Sequence, residues 1–192
     1  MQARLNDRSS RRAPEPEPAT RRSPREPLTI LGIDPSLRGT GYGLIQTGGP
    51  GPVALAHGTI ACPKDWERSR CLGQIAVTLR ALLLEYSPKV CVVEGLFFAQ
   101  NLKTAIVMGE ARGAALSAVA ESGVEIYEIA TRKVKLAIVG YGAAQKLAVA
   151  KMVQRMLGLA ALPAPDAADA LALALTHAQE QGRFGLDARK RI

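Results

Sequence analysis

Thiol and imidazole donors are scarce in this sequence, with three cysteines and two histidines in 192 residues. Cys62, Cys71 and Cys91 form no C-x-x-C pair, and His57 and His177 lie far from each other. That excludes a structural zinc site. An odd number of cysteines without a secretory signal points to a reducing compartment, and the expected location is cytoplasmic. Aromatic residues make up only 4% against 47% hydrophobic residues, so the core must be built from Leu, Ile, Val and Ala. Long apolar runs are also missing. Residues 28–33 are too few to span a bilayer, and no apolar stretch precedes Leu28, so no membrane partner is expected. Four acidic residues and repeated Pro among the N-terminal Arg and Ser argue against an organelle transit peptide.

The formal charge of +8 sits largely on the ends. Residues 1–27 carry seven Arg against four acids, and residues 181–192 carry four cations against Asp187, each end having a net charge of +3. Basic ends raise encounter rates with polyanions and equally serve solubility. Residues 1–27 read as a disordered Pro-rich extension and 181–192 as a basic tail. Between them, 28–180 reads as one domain.

Within that domain, "LTILGID" (28–34), "TGYGLIQ" (40–46) and "VALAHGTIAC" (53–62) predict three strands joined by short turns, an antiparallel meander. Apolar residues at helical spacing predict a helix over 65–86, ended before Pro88. "KVCVVE" (89–94) does not alternate and predicts a buried strand. A long helix follows over 101–122, with Asn101 as N-cap and Gly123 just past its end. "VEIYEI" (124–129) predicts a fifth strand. Helices are expected at about 131–137, 143–158 and 166–180. Strands separated by helices long enough for crossovers imply a partly parallel sheet.

Four carboxylates stand at the ends of these elements. Asp34 ends the first strand and Glu94 the fourth. Asp166 and Asp169 share one face at the start of the last helix. Clustered acids repel, and divalent cations relieve that repulsion. Mg²⁺ favours oxygen ligands and keeps water and phosphate in its shell. Two such ions about 4 Å apart activate water and stabilise the leaving oxygen of a phosphodiester. Each acid alone has a plainer use: Asp34 before Pro35 as a turn former, Asp166 as a partner of its helix dipole. Asp169 and Glu94 sit in apolar surroundings where an unpaired acid is costly.

The motifs "LGIDPSLRGTGYGLI" (31–45), "VVEGLFFAQN" (92–101), "GEARGAAL" (109–116), "RKVKLAIVGYGAAQK" (132–146) and "PDAADALALALTH" (165–177) resemble, in order, those of the RuvC family of Holliday-junction resolvases. The resemblance covers about residues 28–178. It implies an α/β, ribonuclease-H-like fold with a five-stranded mixed sheet and flanking helices. It also implies paired symmetric nicks in a four-way DNA junction by a homodimer that depends on Mg²⁺, with two ions per site and Mn²⁺ able to substitute. The usual family partner is a branch-migration helicase complex of the RuvA and RuvB type. The family's catalytic, metal-holding quartet falls on Asp34, Glu94, Asp166 and Asp169. Its base-pair-opening Phe falls on Phe97, and its phosphate contacts fall on Lys135 and Lys146. The small-residue helix 101–122 looks like the family's dimer helix. Ser36 departs from the Gly that members commonly carry after "DP".

Other residues have less to say. One of Phe97 and Phe98 can face substrate while the other packs inward. Arg132, Lys133, Lys135 and Lys146 bracket the "GYG" loop (140–142) and suit either phosphate contact or a solvated face. Tyr141 stacks or caps in that loop. His177 reads as structural, and Trp66 has no derivable role. Two alternatives stand beside the resolvase reading. One is a non-catalytic junction-binding module on the same fold. The other is an actin-like or sugar-kinase phosphotransferase, whose phosphate hairpin "GIDPSLRGTG" resembles but which needs two lobes.

Overall fold

The computed structural model describes residues 26–95, 101–182 and 190–192. In chain order the elements are β1 (Thr29–Asp34), β2 (Gly39–Gln46), β3 (Val53–Ala61), α1 (Arg68–Tyr86), β4 (Val90–Glu94), α2 (Leu102–Glu121), β5 (Glu125–Ile129), α3 (Thr131–Val139), α4 (Lys146–Leu157), α5 (Pro165–Gly182) and β6 (Lys190–Arg191). The strands form one sheet in the order β3-β2-β1-β4-β5-β6. The meander β1–β2–β3 is antiparallel, whereas β1–β4 and β4–β5 are parallel.

The central strands are apolar throughout because both faces of the sheet are covered. Side chains alternate along a strand. Leu31, Ile33, Cys91 and Val93 turn to one face, where Ile75, Leu79, Ala115 and Val119 of α1 and α2 cover them. Ile30, Val90 and Val92 turn to the other, where they meet α3, α4 and the apolar stripe Leu171–Leu175 of α5. A non-alternating apolar sequence is what this two-sided burial requires.

Helix α5 lies directly on the sheet, and glycines make that approach possible. A Cβ placed at Gly32 of β1 would sit 1.9 Å from the Ala170 carbonyl oxygen, and one at Gly41 of β2 would sit 2.0 Å from that of Asp166. At Gly43 it would press on the Leu171 side chain at 2.7 Å. These distances are far inside van der Waals contact, so only glycine lets the α5 backbone settle here.

The helix ends follow the sequence closely. Asn101 Oδ1 accepts from the Thr104 amide at 2.8 Å, capping α2. Gly123 and Gly158 follow α2 and α4 with φ of 72° and 62°, the left-handed conformation that a side chain disfavours. Ser36 needs no such conformation, because Ser87 is the one described non-glycine residue with positive φ. Instead the Thr40 hydroxyl donates to the Ser36 carbonyl at 2.6 Å and accepts from its amide at 3.2 Å, pinning the turn after β1.

One strand exceeds the expected five. Lys190–Arg191 pairs antiparallel with β5, and α5 extends to Gly182, so part of the expected tail joins the sheet. Charge rather than apolar pattern docks it. Lys190 bonds Glu128 and Arg191 bonds Glu125, both at 2.9 Å.

Replacing Gly32 with Ala is expected to overpack the α5 contact and to destabilise by about 1–3 kcal/mol or more. Gly73→Ala in α1, where an added Cβ meets nothing within 4 Å, is expected to stabilise by about 0.5–1 kcal/mol. Thermal melts of the two variants decide the matter. A Gly32→Ala melt equal to that of the unsubstituted chain would contradict the close-packing account.

Candidate active site

Strand parity sends two of the four carboxylates to one place. Asp34 continues the Ile30, Gly32 face of β1, and Glu94 continues the Val90, Val92 face of β4. Both therefore turn toward α5. The parallel register pairs Ile33 with Val93, so Asp34 and Glu94 end neighbouring strands side by side. Their carboxyl groups hydrogen-bond each other.

The α5 contact brings the other two. Asp34 pairs with Gly41 across β1–β2, and Gly41 is where the α5 backbone rests at Asp166. The first turn of α5 thus lies over the end of β1. Asp166 Oδ2 is 3.0 Å from where a Cβ of Gly39 would stand. Asp169, one turn on, lies close enough to raise the pKa of Asp34 by its charge, and Asp166 and Glu94 do the same to Asp169. The four acids are thus brought to one edge of the sheet, at the carboxyl ends of β1 and β4. Ligand sites of open α/β sheets favour that edge.

The electrostatics follow from this crowding. Burial pushes the Asp34 carboxyl up to about 8, helped by the charge of Glu94, the hydrogen bond to it, and Asp169. Without metal, Asp34 therefore keeps its proton at neutral pH. Asp169 is also raised, first by burial, and only the hydrogen bond and charge of Lys146 oppose the rise. Lys146 Nζ lies 2.7 Å from Asp169 Oδ2, and that bond raises its own pKa. The lysine is a partial counter-ion on an exposed stem.

Two residues that sequence reasoning did not single out complete the site. Thr131, at the start of α3, donates its hydroxyl to Glu94 Oε1 at 2.5 Å. Arg112 of α2 is buried, donates to the Glu94 main-chain carbonyl, and pairs with Glu128 Oε2 at 2.5 Å. Burial lowers its pKa, and Glu128 works against that. An arginine amid the small residues of "GEARGAAL" was the available signal for Arg112. Nothing in sequence marked Thr131.

The remaining expected residues divide. Lys135 borders a small pocket shared with Glu94, Thr131 and Asp169. Lys133 instead pairs with Glu180 at 3.0 Å. His177 is fully buried against Tyr127, with ring centroids 5.0 Å apart, as a structural role requires. Phe97 and Phe98 lie outside the described residues.

The donor set suits a hard divalent cation: four carboxylates, with the three cysteines buried and free elsewhere. Among the described residues no group of three or more His, Cys, Asp or Glu side chains stands close enough together to hold a metal ion as it is. The oxygens are instead engaged with each other, with Thr131 and with Lys146. The proton on Asp34 and the charge of Lys146 offset part of the repulsion that a cation would remove, and in donor chemistry the residues fit a hard metal.

Comparison with known proteins identifies the family. The family described as crossover junction endodeoxyribonuclease RuvC matches residues 30–177. The enzyme of that name from Syntrophomonas wolfei is 46% identical over 78% of this chain and 88% of its own length. The one from Akkermansia muciniphila is 43% identical over 78% and 90%. Among solved structures, RuvC of T. thermophilus in complex with a Holliday junction substrate superposes with a TM-score of 0.76 at 32% identity, covering 86% of this chain and 99% of that one. The yeast mitochondrial Holliday junction resolvase Ydc2 shares the fold at 11% identity and a TM-score of 0.57, with 80% and 78% covered. By the extent of these matches, the chain belongs to the RuvC family of crossover junction endodeoxyribonucleases.

Proposed function

We propose that this chain resolves four-way DNA junctions by metal-dependent phosphodiester hydrolysis, with Asp34, Glu94, Asp166 and Asp169 as its catalytic, metal-holding carboxylates. One observation supports the reading: strand parity and the α5 contact bring all four acids to one sheet edge, where burial and neighbouring acids raise the Asp34 pKa.

Mg²⁺ is the proposed ion, two per site, with Mn²⁺ able to replace it; bound there, it would supply Lewis acidity and a water of lowered pKa. The chain's own groups do the rest. Thr131 and Arg112 fix Glu94 from its side chain and its backbone. Lys146, exposed and held among the described residues by Asp169 alone, is placed to leave that carboxylate for a substrate phosphate. Lys135 offers a second phosphate contact beside it. Phe97 is proposed to open base pairs at the crossover.

Paired symmetric nicks call for two sites, hence a homodimer. Leu102, Ile106 and Met108 of α2 are exposed, which supports α2 as the dimer surface. A branch-migration helicase complex of the RuvA and RuvB type is the proposed partner. No helix among the described residues is long and apolar enough to cross a membrane, and the three free, buried cysteines support a cytoplasmic setting.

The direct test is a synthetic mobile four-way junction with Mg²⁺. Symmetric nicks in opposed strands are expected, with little cutting of linear duplex. Asp34→Asn is expected to bind the junction within a few-fold of the unsubstituted chain and to cut it slower by on the order of 10³-fold or more. An Asn variant that cuts normally would remove Asp34 from the mechanism. A junction-binding protein that never cuts in Mg²⁺ or Mn²⁺ would favour the non-catalytic reading.

The pH dependence has a definite sign. Folding raises the Asp34 pKa from 3.8 to about 8, so the folded chain keeps a proton that the unfolded chain has shed. Without metal, stability falls as pH rises between those values, by at most about 1.4 kcal/mol per pH unit, and levels off above about 8. Metal-free melting temperatures are expected to decline from pH 5 to 8. Asp34→Asn is expected to flatten the decline; equal slopes for both proteins would contradict the burial account.

A further inference from the structure

Beside the carboxylates lies a second feature, of which the proposed chemistry uses only Thr131 and Lys135. A cleft of about 790 Å³ is lined by Thr131, Arg132, Lys135 and Leu136 of α3 and by Tyr141 and Gly142 of the loop that follows. Thr131 and Lys135 also line the small pocket at Glu94 and Asp169, so the two are continuous.

Three observations give this cleft a chemistry. Its cations are uncommitted. Arg132 and Lys135 form no ion pair among the described residues, as is also true of Lys64, Lys89, Lys103, Lys151 and Arg155; what sets the two apart is that both line one cleft beside the acids. Its aromatic is presented outward: Tyr141 is 66% exposed, at the cleft margin, with exposed Leu136 beside it. Its margin is built tightly. Gly140 ends α3 in the left-handed conformation, and a Cβ on Gly142 would stand 2.9 Å from Arg132 Cγ, so the Arg132 stem packs on the loop backbone. Two free cations and an exposed ring around one open cleft match a nucleotide, with its phosphate on the cations and its base on the ring.

We propose that this cleft is a subsite for one unpaired nucleotide next to the phosphate that is cut, with its base stacked on Tyr141 and its phosphate held by Arg132 and Lys135. The inference rests on the nuclease reading and deepens it. A base within a duplex has both faces covered, so stacking on Tyr141 selects DNA whose strands are parted beside the cut. Tyr141 is thereby a specificity residue, and Arg132 a phosphate contact indifferent to which base is bound.

The experiment measures metal-free binding of an intact four-way junction, and of junctions with a single abasic residue at each of the nucleotides flanking the cut. Tyr141→Ala is expected to weaken binding to the intact junction about tenfold, with Tyr141→Phe within twofold of the unsubstituted chain. At one flanking position the abasic junction should bind the Ala variant and the unsubstituted chain equally. Arg132→Gln should weaken binding at every position alike and lower the dependence of log affinity on log salt by about one unit. Ala binding within twofold of the unsubstituted chain, or a penalty that persists at every abasic position, would overturn the subsite. Failure of the unsubstituted chain to bind the junction at all would overturn the nuclease reading along with it.

Discussion

The site depends on one close contact: the backbone of α5 resting on glycines of β1 and β2. At Gly32 and Gly41 the helix carbonyls occupy the space of a side chain. Without that approach, Asp166 and Asp169 would stand off from the sheet edge by at least the width of a methyl group. Asp34 and Glu94 need no such help, since strand register alone sets them side by side. Two acids come from the sheet and two from the helix, and the glycine contact joins the pairs.

Crowding four acids costs stability, and the cost is visible in how the oxygens are engaged. Asp34 and Glu94 bond each other, Thr131 bonds Glu94, and Lys146 bonds Asp169. Each bond is one that a cation or a substrate phosphate could replace. The supports behind them are of another kind. Arg112, buried, and Glu128, half-buried, form a pair that holds the backbone at Glu94. The site therefore combines exchangeable contacts at the acids with a fixed frame beneath them.

Much of this was legible in sequence, for physical reasons. The runs 28–34 and 89–94 are apolar without alternation because helices cover both faces of the sheet. Asn101 and Gly123 mark helix ends through local backbone chemistry. The acids were legible by their place at element ends. What escaped were effects of tertiary contact. Gly32 is an ordinary strand glycine until α5 lies on it. Strand β6 carries no apolar pattern, since Lys190 and Arg191 are held by Glu128 and Glu125. Thr131 bonds Glu94 across 37 positions of chain, a pairing no local pattern encodes. Lys133, grouped in sequence with Lys135, turns to Glu180 because neighbouring helix positions face different ways.

The central claim is that the acids form a single cation site at which, without metal, Asp34 keeps a proton. Calorimetric titration with Mg²⁺ at pH 7, in two buffers of different ionisation heat, tests it most directly. The account predicts saturable binding with release of about one proton per chain, and release that disappears in Asp34→Asn. Binding without proton release, or release unchanged in the variant, would contradict it.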